Sequence, residues 1–168
     1  MIENNVPQNP LSRRTFEKSL IVLPIASALA SERHMFLALN SVLVSGRVAW
    51  PDFARLAAKV GFPGTDVMLG PAMKAGADDT NRLLSGLKLR PAAIDFPVEF
   101  RKDDATFQAG LEKLPAAAEF AAAIQCPRMV TYIMSSSDTP KEELRRIYKQ
   151  RFSESARVLA KWNVRLGL

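Results

Sequence analysis

The chain has little of what the common catalytic and metal-binding signatures are made from. Its single cysteine, Cys126, excludes an internal disulfide and any cysteine-rich metal site. Its single histidine, His34, excludes a histidine-rich zinc cluster. Neither G-x-G-x-x-G nor G-x-x-x-x-G-K-[ST] occurs, so the glycine-rich turns that cradle nucleotide phosphates are missing. The apolar run Leu20 to Ala30 has about eleven residues and contains Pro24, whereas a membrane-spanning helix needs roughly 20. What remains is ordinary globular composition, 48% hydrophobic and 24% charged, in a chain of 168 residues that is long enough to bury a core. The net charge of +6 is dispersed: Arg145, Arg146, Lys149 and Arg151 share one segment with Glu142, Glu143 and Glu154. Such mixing reads as a solvated helix face, and nucleic acid is not the expected partner. A phosphorylated or carboxylated small substrate is equally compatible with the charge.

The amino terminus reads as a targeting segment. Ser12-Arg13-Arg14-Thr15-Phe16-Glu17-Lys18 precedes the apolar run, and Ala28-Leu29-Ala30 places small residues at signal-peptidase spacing. Arg13, Arg14 and Phe16 resemble the twin-arginine export motif, with Glu17 where that motif has leucine. Residues 1–30 are therefore expected to be a twin-arginine-type signal peptide read by the export machinery, giving a periplasmic protein. Without export the protein would be cytoplasmic. Cleavage after Ala30 would leave 138 residues with His34 close to the new terminus, a poor ligand candidate.

Beyond residue 35 the hydrophobic period switches repeatedly. Strands are expected at Phe36 to Ser41, Thr65 to Leu69, Arg90 to Phe96, Pro127 to Met134 and Val164 to Leu168. Helices are expected at Trp50 to Val60, with Phe53, Leu56, Ala57 and Val60 inward, and at Asp79 to Leu87, capped by Asp78, Asp79 or Thr80. Two longer ones follow, Thr106 to Gln125, bent at Pro115, and Lys141 to Asn163, entered through Thr139-Pro140. Strands apolar on both faces and separated by helices point to an α/β parallel sheet. Two architectures answer to that pattern. A doubly wound sheet lacks its glycine-rich turn here; a (β/α)8 TIM barrel needs about 250 residues. The expected fold is a partial TIM barrel of about four βα units plus the start of a fifth strand, with the chain stopping inside that strand.

Four phrases in order, Leu37-Ala38-Leu39-Asn40-Ser41, Gly61-Phe62-Pro63-Gly64-Thr65-Asp66-Val67-Met68-Leu69, Leu89-Arg90-Pro91-Ala92 and Gln125-Cys126-Pro127-Arg128-Met129-Val130, resemble the xylose isomerase-like sugar phosphate isomerase/epimerase family of TIM barrels. The resemblance covers residues 36–168 and implies the amino-terminal half of such a barrel. It further implies one divalent metal (Mn, Co, Mg or Zn) held by Glu, Asp, His and Glu on later strands, and a sugar or sugar-phosphate-like substrate. The metal polarises the substrate while carboxylates move a proton. No catalytic or metal residue is assigned within these 168 residues, and the chain alone is expected to be inert.

What such a half supplies is substrate binding, because active-site loops lie at the carboxyl ends of barrel strands. Asn40 and Ser41 end the first strand, Met68 the second; Glu99 and Arg101 follow the third, and Tyr132 and Ser135 end the fourth. Arg101 can clamp a phosphate or carboxylate, or pair with Glu99 or Asp103 on the surface. Asn40 can bind a sugar hydroxyl or cap the loop before Gly46. Tyr132 is either a substrate contact or a core ring. Asp66 and Asp95 lie within apolar runs and need partners if buried. Two alternatives come from other classes: a self-contained half-barrel that assembles into a homo-oligomer through an exposed apolar interior, and an endonuclease-like nucleic-acid binder.

Overall fold

A computed structural model describes residues 35–168 apart from Ser45. The signal-peptide expectation, with Arg13, Arg14 and Phe16, and His34 fall outside these residues. Among the described residues no helix is long and apolar enough to cross a membrane.

The elements alternate as the periodicity demands. Strand β1 (Ala38–Leu39) leads through a 3-10 turn (Ser41–Val44) to helix α1 (Trp50–Lys59), then β2 (Gly64–Val67). Two short helices, α2 (Leu69–Ala75) and α3 (Ala77–Gly86), precede β3 (Arg90–Asp95), and α4 (Asp104–Ala123), β4 (Arg128–Val130), α5 (Lys141–Ala160) and β5 (Arg165–Gly167) complete the order. All four neighbouring pairs are parallel and the strand order is β1-β2-β3-β4-β5. A doubly wound sheet reverses its strand order at a switch point, whereas this order never reverses, as in a barrel wall. The protein is α/β, with a five-stranded parallel sheet corresponding to half of a TIM barrel.

One face of that sheet is covered. Val67, Ile94 and Met129 pair in sequence across β2, β3 and β4, and each has 1% exposure or less. They pack with Phe53, Ala54 and Ala57 of α1, Leu114, Ala118 and Ala121 of α4 and Leu159 of α5 in one core. Burial of each large side chain, such as Phe53 or Phe107, contributes about 1.5–3 kcal/mol. The next residues along the strands, Asp95 and Arg128, are exposed. The face away from the helices therefore mixes exposed charge with half-buried apolar residues such as Ala93 and Val130, which corrects the expectation of two wholly apolar faces.

Local chemistry explains the other departures. Gly70-Pro71 does not stop β2 in a loop but sits in the first turn of α2, where no intrahelical donor is required of proline. The cap of α3 is Gly76, at φ +94°, and Asp78 and Asp79 lie inside the first turn. Asp103 caps α4, its carboxylate accepting from Thr106 N at 2.9 Å and Thr106 Oγ1 at 2.8 Å. α4 runs unbroken through Pro115. Pro140 rather than Thr139 precedes α5, with no side-chain cap. In α1 the buried stripe is Trp50, Phe53, Ala54 and Ala57, leaving Leu56 and Val60 exposed. β4 stops at Val130, and Tyr132, Ile133 and Met134 emerge into solvent.

Candidate functional site

The carboxyl ends of parallel strands carry loops whose backbone donors and side chains are not consumed by the sheet, so function concentrates there. Each residue singled out from the sequence lies at this end, but they do not form one cluster. Asn40 turns its Oδ1 back to accept from Val42 N at 2.8 Å, so its side chain shapes the 3-10 turn after β1. Met68 is half-buried against the hydrophobic core. Glu99 is exposed, and its carbonyl accepts from Lys102 N at 3.4 Å.

Arg101 and Tyr132 do come together. The Arg101 guanidinium carbon lies 4.2 Å from the centroid of the Phe100 ring and 4.6 Å from that of Tyr132, and Nη2 donates to Tyr132 O. One cation thus bridges the loops after β3 and β4. Neither Glu99 nor Asp103 is its ion-pair partner among the described residues, so the expected surface salt bridge is not formed there. Tyr132 is 68% exposed and so is not a core ring. Stacking on an exposed aromatic face contributes about 0.5–1 kcal/mol and holds the guanidinium plane while leaving most of its donors for a ligand.

A second grouping is acidic. Asp66, on β2, accepts from Ser41 N at 3.3 Å and is half-buried. Burial pushes its carboxyl above the usual range, the Ser41 N–H opposes this, and the nearby Asp95 carboxylate on β3 adds to it. The two carboxylates face the side of the sheet away from the helices. They do not hold a metal as arranged: among the described residues no group of three His, Cys, Asp or Glu side chains converges. Two carboxylates, one already engaged by Ser41, fall short of the ligand set that the family resemblance implies.

The residue that sequence reasoning missed is Arg151. It does not belong to a solvated face: it is 7% exposed, and its Nη1 donates to Phe100 O at 2.7 Å and Lys102 O at 2.6 Å. Its Nη2 donates to the Asp104 carboxylate, and its guanidinium carbon lies 5.1 Å from the Phe107 centroid. The only available signal was positional. Arg151 shares its helix face with Tyr148, Phe152, Ser155 and Leu159, all half-buried or buried. Beside it, an open groove of about 580 Å³ between α4 and α5 is lined by Asp104, Gln108, Glu143, Arg146 and Gln150.

No family model matches the chain, and no curated protein matches it. Solved structures do. A xylose isomerase domain protein from Alicyclobacillus acidocaldarius superposes with a TM-score of 0.70 at 20% identity, over 80% of this chain and 50% of that one. A D-psicose 3-epimerase with D-tagatose from Clostridium cellulolyticum H10 gives 0.61 at 11% identity, over 79% and 51%. A family 2 AP endonuclease from Brucella melitensis gives 0.54 at 16% identity, over 79% and 54%. The chain spans about half the length of the structures it matches. These likenesses establish the fold, half of a TIM barrel. Since sugar enzymes and an endonuclease share it, the fold does not choose between their chemistries.

Proposed function

We propose that this chain binds a sugar or sugar phosphate at the carboxyl end of its sheet, as part of a barrel of the isomerase/epimerase type. Arg101 is the clamp for the phosphate or another anionic group, and the Tyr132 ring offers a flat face for the sugar. The observation that carries this reading is the guanidinium of Arg101 held against two aromatic rings, 4.2 and 4.6 Å from their centroids, at the strand ends where barrel loops meet substrate. A planar, oriented guanidinium suits bidentate recognition of phosphate. The neighbour crystallised with D-tagatose supports a ketose-like ligand. Isomerisation or epimerisation with a divalent metal belongs to the proposal for the whole barrel, and its metal ligands would come from elements outside these five strands. Neither Asp66 nor Asp95 is assigned a role in it.

The endonuclease-like alternative draws no support from α5. Arg145 pairs with Glu142 at 3.7 Å and Arg151 is buried, so the helix does not offer an uninterrupted basic stripe. Export through Arg13 and Arg14 is likewise proposed. A reporter fused after Ala30 should reach the periplasm and stay inside the cell when both arginines become lysine.

Calorimetric titration of the chain with fructose 6-phosphate, fructose and inorganic phosphate tests the binding proposal. Saturable binding of the sugar phosphate is expected, with Arg101→Ala reducing its affinity about tenfold, the loss of one charged contact. Absence of saturable binding by any of the three would remove the proposal.

A further inference from the structure

Arg101 is exposed and sits in a loop, yet its position is dictated from a helix that it does not belong to. The two carbonyls that accept from Arg151 Nη1 are those of Phe100 and Lys102, the residues on either side of Arg101. One buried guanidinium thus holds the peptide that enters Arg101, through the Phe100 carbonyl, and the one that follows Lys102. The platform under the clamp is held by the same helix. The Phe100 ring lies 5.1 Å from the Tyr148 ring and 4.7 Å from the Phe152 ring, both on α5, and Phe100 is the ring that Arg101 stacks upon.

We propose that Arg151 is the positioning residue of the ligand clamp, fixing the backbone of Arg101 so that its guanidinium is in place before a ligand arrives. This rests on the reading of Arg101 as the anion clamp. An exposed arginine otherwise samples many rotamers, and a ligand must bear the cost of ordering it; a clamp ordered beforehand binds more tightly. The role requires arginine. A lysine ammonium ends about one bond short of the Nη atoms and lacks their planar fork, so it cannot reach both carbonyls from the same backbone position. Asp104 is secondary. Its side chain is 92% exposed against 8% for Arg151, so solvent screens that pair and the two carbonyls satisfy the buried cation.

The test uses the full chain, inorganic phosphate as the probe, and the Nε–Hε NMR signal of Arg101, which the Phe100 and Tyr132 rings displace from its solvent position. Arg151→Lys is expected to weaken phosphate binding about tenfold and return the Arg101 signal toward its solvent position. Asp104→Asn should change affinity by less than about twofold and leave the signal in place. Arg151→Gln, which keeps a donor without the charge, substitutes where R151K does not fold. A folded R151K or R151Q with phosphate affinity and Arg101 signal both unchanged overturns the proposal. If the unmodified chain binds phosphate no better than Arg101→Ala, the clamp reading fails and the ligand role of Arg151 fails with it. A signal that still moves in R151K then shows that only the structural linkage survives.

Discussion

Asp66 carries a structural cost that the sequence only hinted at. An aspartate between Thr65 and Val67 in an apolar run had to find a partner, and it found one backbone donor, Ser41 N, and an unfavourable neighbour, Asp95. Because its folded pKa is raised, the folded state favours the protonated form. Its contribution is fully present below the unfolded carboxylate pKa and is lost as pH rises through the folded value. Asp66→Asn keeps an acceptor for Ser41 and removes the charge, so Tm at pH 7 should rise by about 2 °C, a gain that vanishes near pH 3. A scan in which D66N lowers Tm at pH 7 would show that the carboxylate is held favourably. Cys126 makes a second residue-scale case. Burial pushes its thiol up to about 11, so in the native protein it should resist a thiol reagent at pH 8 and react fully once unfolded. Rapid native labelling would mean that the α4–β4 turn opens. Legibility at this scale was uneven. Apolar neighbours marked Asp66 and Asp95 alike as needing partners if buried, yet only Asp66 is half-buried, while the Arg101–Tyr132 and Arg151–Phe100 contacts join loops and a helix far apart in sequence, which local periodicity does not encode.

The elements were largely readable because each βα unit repeats one device. α1, α3, α4 and α5 all end in paired carbonyl-capping hydrogen bonds: Phe62 N to Ala57 O, Leu89 N to Leu84 O, Cys126 N to Ala121 O and Val164 N to Leu159 O, each with a companion bond donated by the residue before. The companion bonds, from Gly61, Lys88, Gln125 and Asn163 N, each span three residues and are similar in length, 3.0–3.1 Å. These are Schellman turns, and each needs a left-handed residue just past the helix. Gly61 fills that position after α1, but Lys88, Gln125 and Asn163 fill it elsewhere, each at φ 56°. A side chain there costs about 1 kcal/mol relative to glycine. Only the first of the four turns therefore announces itself through glycine, and the periodicity carries α5 on to Asn163 although the helix ends at Ala160. Gln125→Gly is expected to stabilise the fold by about 0.5–1 kcal/mol, measured by urea unfolding, the relief of the left-handed strain being partly offset by extra freedom in the unfolded chain. A loss of stability would place the Gln125 side chain in a contact worth more than the strain. α2 escaped notice because Gly-Pro reads as a breaker unless it falls in a first turn. β4 was overextended because Tyr132 to Met134 is apolar in composition yet exposed in space.

At the scale of the molecule, the surface of the sheet opposite the helices differs from the apolar interior expected of a half-barrel. Arg90, Asp95, Arg128 and Arg165 are exposed strand residues, and Phe36 covers Gly64, where an added Cβ would lie 2.3 Å from its ring. Arg128 and Arg165 are register partners on β4 and β5, an arrangement that repels a second basic face. Within the described residues β1 and β5 form the edges, and both are flanked by apolar side chains: Leu37 is 75% exposed beside β1, and Leu168 is 73% exposed after β5. Unpaired strand edges with apolar neighbours are templates for pairing, and charge on the edge is what suppresses it. The 168-residue chain should therefore self-associate through its edges rather than face to face. Sedimentation velocity should show a sedimentation coefficient that rises with protein concentration and barely responds to salt, since apolar edge contacts carry no net ion pairing. Leu37→Lys should shift the population to monomer, while Arg128→Glu should leave it unchanged. A monomer at every concentration would mean that two- and three-residue edges are too short to pair. Dissociation caused by R128E alone would instead place the contact on the charged face, where one copy's arginines meet the other's Asp66 and Asp95.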